Sequence, residues 1–112
     1  MDTRNMSRIN IVPISVNKCW QGRRFKTNLY KNYEKELLSE LEEKELLQPP
    51  YRVDILFGFS SKLADIDNPL KPFLDILQKK YKINDRDIWE LNVKKTIVKK
   101  GLEFIDFKII YI

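Results

Sequence analysis

The chain predicts a single small α+β domain, a mixed sheet covered by two helices, with elements in the order β-α-β-α-β-β. Three observations predict it. Apolar residues recur at helical spacing over 28–47 and again over 68–81, the first stopped and the second opened by proline. Around these stretches lie short runs that alternate with period two or are rich in Ile, Val and Phe. The 112 residues are 43% apolar, with three glycines and five prolines, which suits one core and one domain over 1–112.

Each element has its own reason. Arg8 to Ser15 alternates Ile9 and Ile11 with polar neighbours and reads as a short strand closing near Pro13. Residues 16–27 read as a long basic loop. From Asn28 to Leu47, Leu29, Tyr33, Leu37 and Leu41 hold one helical face, with Leu38 and Leu46 beside it. Asn28 is placed to cap that helix, and Gln48-Pro49-Pro50 stops it. Tyr51 to Ser60 sets Val53, Ile55, Phe57 and Phe59 on one face of a strand. After a loop over 61–68, Pro69 opens a second helix behind a cap from Asp67 or Asn68. Asp87–Val98 and Leu102–Ile112 read as strands. The tight turn Lys99-Lys100-Gly101 predicts that they pair as a hairpin.

Composition removes whole classes of chemistry. There is no histidine, so a Ser-His-Asp triad and a His-ligated zinc or haem are excluded. The single cysteine, Cys19, forms neither an intrachain disulfide nor a cysteine cluster, and its default reading is a small buried hydrophobe in a reducing setting. The polar start and the short apolar runs predict a soluble cytoplasmic protein without a membrane partner. What remains for a site is carboxylates, Lys, Arg, Tyr and hydroxyls, and oxygen donors suit Mg²⁺, with Mn²⁺ as a substitute.

The formal charge of +5 is uneven. Residues 1–26 carry six basic side chains and one acid, residues 27–60 four and seven, residues 61–112 eleven and eight. Asn17, Lys18, Arg23, Arg24 and Lys26 surround Trp20 and Phe25, a pattern that can hold phosphates and stack on bases. The bland reading is a solvated loop with Trp20 in the core. Lys62, Lys79, Lys80 and Lys82 are further candidate phosphate contacts, whereas Lys94, Lys95, Lys99 and Lys100 read as a solvated face.

The richest stretch is Asp65-Ile66-Asp67-Asn68-Pro69-Leu70-Lys71-Pro72-Phe73-Leu74-Asp75. In an extended segment Asp65 and Asp67 share a face, and a divalent ion relieves their repulsion. Lys71 follows on the first helical turn, with Asp75 its i,i+4 partner. A second acidic cluster, Asn84-Asp85-Arg86-Asp87, follows the helix. The bland readings are a capped loop, a surface ion pair and a turn.

Taken together these stretches resemble the RusA-type Holliday junction resolvases, endodeoxyribonucleases of bacteria, their phages and prophages. Pro13-Ile14-Ser15-Val16-Asn17 with Trp20 and Arg23-Arg24-Phe25-Lys26 carries one part of the likeness. Asp65-Ile66-Asp67-Asn68-x-x-Lys71-x-x-x-Asp75 carries the most specific part, and Asn84-Asp85-Arg86-Asp87-Ile88 the third. The resemblance implies that Asp65, Asp67 and Asp85 bind the metal, that Lys71 is the catalytic lysine, and that Asn68 and Asp75 shape the loop and orient Lys71. It also implies a homodimer that resolves four-way branched DNA by paired symmetric nicks in recombination and repair, with no organic cofactor. Asn84 and Asp87 depart from the family pattern, which often has Asp and Gln there. The rival readings are a non-catalytic branched-DNA-binding protein and a less selective flap or fork endonuclease.

Overall fold

The computed structural model describes residues 3–112, and these form the α+β domain the sequence predicts. The strands are β1 (Ser7–Ile9), β2 (Trp20–Gln21), β3 (Phe25–Lys26), β4 (Tyr51–Phe59), β5 (Ile88–Ile97) and β6 (Phe104–Tyr111). The helices are α1 (Asn28–Glu40) and α2 (Leu70–Tyr81), with single 3₁₀ turns at Val16–Lys18 and Asp85–Asp87. A four-stranded mixed sheet runs β1-β6-β4-β5, and β2 with β3 makes a separate two-stranded hairpin. The basic loop expected over 16–27 is therefore folded.

β4 is central. Val53, Ile55 and Phe57 are fully buried on one of its faces, packed with Tyr33 and Leu37 of α1 and Phe73, Ile76 and Leu77 of α2. Its other face carries Asp54, which accepts from Asn92 at 2.8 Å and pairs with Arg52 at 3.3 Å. β5 lies parallel to β4, so the chain between them must cross over, and α2 is that crossover.

The terminal hairpin does not form. A turn is present, with the Leu102 N–H donating to the Lys99 carbonyl and Gly101 at φ 95°. The strands it joins nevertheless lie on opposite sides of β4: β5 pairs with it in parallel, β6 antiparallel. Burial explains the placement. Phe104, Ile105, Asp106 and Phe107 of β6 are buried, and Asp106 is matched by Arg8, so β6 suits an inner position. β5 is mostly exposed and carries Lys94 and Lys95, as an edge strand that discourages further pairing does.

Other boundaries shift for tertiary reasons. β1 ends at Ile9 rather than near Pro13, although Ile11 and Ile14 stay in the core. Thr27, not Asn28, caps α1, its hydroxyl accepting from the Tyr30 N–H. α1 stops at Glu40 instead of Leu47, where side chains of α2 take up carbonyls at and just past its end. Lys80 Nζ donates to the Leu38 carbonyl and pairs with Glu43, and the Tyr81 hydroxyl donates to the Glu42 carbonyl.

Candidate functional site

Two loops that are far apart in sequence meet at the start of α2. The Val16 N–H donates to the Asn68 carbonyl at 2.9 Å, joining the loop after β1 to the Asp65–Asn68 loop. Lys95 Nζ of β5 donates to the Ala64 carbonyl at 2.8 Å and holds the same loop from the sheet side. Lys95 thus has a structural task that a solvated-face reading misses. The chain turns through 66–69 rather than running extended, so simple alternation does not relate Asp65 to Asp67. Asp65 instead accepts from the Asn68 amide at 3.3 Å, and both carboxylates are exposed.

Because Asn68 is engaged with Asp65, it does not cap α2; the cap position is Pro69, with no side-chain bond. The helix start is satisfied differently. Leu70 N–H donates to the Asp67 carbonyl, Phe73 N–H to the Pro69 carbonyl, and Pro72 has no N–H to satisfy. Pro69 and Pro72 are fully buried, so the first turn is clamped by packing rather than by a polar cap.

One face of α2 then presents charge. Lys71 Nζ meets Asp75 at 2.9 Å across one helical turn. Gln78, one turn further, accepts the Asp85 N–H on its side-chain oxygen at 3.1 Å and fixes the second acidic cluster beside that face. The bond to Asp75 and its charge hold the Lys71 pKa above the ordinary lysine value, with a smaller contribution from the charge of Asp85. Lys71 therefore stays an ammonium at neutral and mildly alkaline pH. Asn84 caps the 3₁₀ turn at Asp85–Asp87 through a bond from the Arg86 N–H, which gives Asn84 a structural task.

The basic hairpin stands next to this face. Cys19 is fully buried, its thiol donating to the Ser15 carbonyl at 3.4 Å, and burial followed by the charge of Asp75 pushes it up to about 11. An unreactive thiol is the result. Trp20 is not a core residue: it is 43% exposed, edge-on to Tyr30 at 5.9 Å. Phe25 is exposed too, and Arg23 and Arg24 occupy the exposed turn after Gly22. Asn17 and Lys18 are exposed on the 3₁₀ turn, with the Asn17 N–H held by Ser15. Lys26 is otherwise engaged, bonded to Glu34 at 2.9 Å, and Lys79 reaches the same carboxylate at 3.0 Å. Lys80 is committed to α1. Lys18, Arg23 and Arg24 are presented outward on this segment, and Lys62 and Lys82 are exposed as well, Lys62 before the carboxylate loop and Lys82 just past the end of α2.

Sequence reasoning passed over Ser15, Thr27, Gln78 and Lys95, which position the others. Gln78 carried a usable signal, since 71, 75 and 78 fall on one helical face.

Among the described residues, no three of Asp, Glu and Cys are grouped to hold a metal ion, so Asp65, Asp67 and Asp85 are not gathered into one cage within the chain. The donor chemistry still fits Mg²⁺, which is usually bound by one or two carboxylates with waters and substrate phosphates completing its shell. Asp65 and Asp67, exposed oxygen donors on one loop, meet that requirement. Also among the described residues, no helix is long and apolar enough to cross a membrane. In comparisons with known proteins, no family model and no curated protein matches the chain.

Proposed function

We propose that the protein is a Mg²⁺-dependent, structure-specific endodeoxyribonuclease of the RusA type, which resolves four-way DNA junctions in recombination and repair in a bacterial cytoplasm. One observation supports this most. The Val16–Asn68 backbone bond joins the basic loop to the carboxylate loop, and Lys18 and Asp65 border one cavity, which brings a phosphate-binding cation and a hard-cation donor together.

In this reading Asp65 and Asp67 hold the ion, which when bound supplies charge to polarise the scissile phosphate and make a water more nucleophilic. Asn68 steadies Asp65 through its amide. Lys71, kept protonated by Asp75, places a positive charge where negative charge grows on the phosphate and the leaving oxygen. Asp85, fixed by Gln78, adds its charge to the Lys71 side of the site. Lys18, Arg23 and Arg24 bind the DNA backbone, and Trp20 and Phe25 offer faces for unpaired bases. Two nicks of like polarity in a nearly two-fold junction call for a two-fold dimer with one site per chain.

A non-catalytic branched-DNA-binding protein is the second reading, and the exposed Lys18, Arg23 and Arg24 beside Trp20 and Phe25 would serve it without a metal. The deciding experiment is cleavage of an end-labelled synthetic four-way junction beside a linear duplex and a flap, with Mg²⁺ or EDTA. Paired symmetric nicks on the junction alone, requiring Mg²⁺, are expected. Tight binding without nicking would establish the binder, and equal cutting of all three substrates a general nuclease.

A further inference from the structure

A cavity of about 290 Å³ opens beside the carboxylate loop, and the site just described does not use it. Ile14 and Phe59 are buried in its lining, and Tyr33 of α1 forms part of its wall. Its other lining residues include Val12, Leu29 and Leu63, large apolar side chains that are 60%, 54% and 91% exposed. Single exposed apolar residues are ordinary, but three around one cavity mark a place where something apolar is received. The volume is at the foot of the range of about 300–1,000 Å³ for small-molecule pockets, which suits one planar ring system.

The polar neighbours indicate the kind of occupant. Lys18, Asp65 and Asn68 also line the cavity, so it is continuous with the carboxylate loop and touches the basic segment. A nucleotide whose phosphate lies at Asp65 has its base within reach of the apolar walls. Tyr33 is buried and its hydroxyl is closed off from solvent, so it contributes an aromatic wall rather than a polar contact.

We propose that this cavity receives an unpaired nucleobase next to the phosphate that is cut, with Tyr33 as part of the wall it packs against. The inference rests on the nuclease reading for its setting. Bases at a crossover unstack at the least cost, as extruded bases do in enzymes that act on them.

The test titrates the full chain with each deoxynucleoside monophosphate and follows the methyl signals of Ile14, Leu29 and Leu63 by NMR. Saturable shifts at all three are expected from the nucleotides, and none from deoxyribose 5-phosphate, which lacks the base. Ala64→Phe, which fills the cavity, should abolish the shifts. No shifts, or equal shifts from the base-free sugar phosphate, would overturn the proposal. So would shifts that follow protein concentration alone, which would assign the cavity to a second copy of the chain. The junction assay is scored separately: binding in the cavity without nicking removes the nuclease reading and keeps the base site, and nicking with an unresponsive cavity does the reverse.

Discussion

Gly58 has no room for a side chain: a Cβ built there would lie 2.5 Å from the Phe104 ring. That ring cannot simply step aside. Arg8 stacks on it at 3.8 Å and is itself held by Asp106 through bonds of 2.7 and 2.9 Å. Gly58→Ala should therefore cost about 1–3 kcal/mol of stability, as overpacking does, measured by urea unfolding. At the same scale, Asp67→Asn should abolish nicking while keeping or tightening junction binding, because it removes a negative charge facing phosphates. If binding disappears together with cutting, Asp67 serves the 66–69 turn instead. Lys71→Ala should slow nicking by about 10²–10³, in the range for loss of one electrostatic donor, with a much smaller effect on affinity. Since Asp75 holds the Lys71 pKa above its ordinary 10.5, any fall in rate assignable to Lys71 should have its midpoint above that value.

Glu34 ties three elements together, since it sits on α1 and accepts from Lys26 of β3 and Lys79 of α2. Burial alone would raise its pKa, but the two lysine bonds outweigh burial and the carboxyl is held below its ordinary 4.5. A depressed folded value gives stability that is present above 4.5 and is lost as pH falls through the lower folded value. Glu34→Gln should remove that acid dependence and cost roughly 1–2 kcal/mol at neutral pH. Melting curves at pH 7 and pH 3 check it: the gap between the two proteins should narrow at the lower pH, and an unchanged gap would assign the loss to packing. Elements also divide by how legible they were. β4 and α2 were plain from periodicity because each carries most of its apolar residues on a single regular face. The short β2–β3 hairpin was not, because its aromatics face outward and leave no apolar period to read.

Taken whole, the molecule keeps an exposed basic segment over 17–24, whose Lys18 borders the same cavity as Asp65. Lys18, Arg23 and Arg24 are free to face a backbone, whereas Lys26, Lys79 and Lys80 are spent on ion pairs. Junction affinity should accordingly fall steeply with salt. Arg23→Ala with Arg24→Ala should reduce the slope of log K against log salt by about two per chain, since each neutralised phosphate contributes about 0.9. Filter binding over a salt series measures it. An unchanged slope would place the DNA elsewhere on the surface.

The sequence by itself determined the α+β class, the order of the two helices and the four strands of the main sheet, the oxygen-only donor set and the segments worth examining, because these depend on residue type and on spacing within one element. The i,i+4 pair Lys71–Asp75 was equally local, and it is present at 2.9 Å. Tertiary structure alone decided which strand is central. Gly101 supplied a turn, but the burial of Phe104–Phe107 and the pairing of Asp106 with Arg8 drew β6 across to the far side of β4. It also decided which lysines remain free, since Glu34 and the carbonyl of Leu38 were available only once α1 and α2 had packed. The cavity beside Asp65 is of the same kind. Its walls come from four stretches of chain, and no spacing rule relates residues that meet only when the core closes.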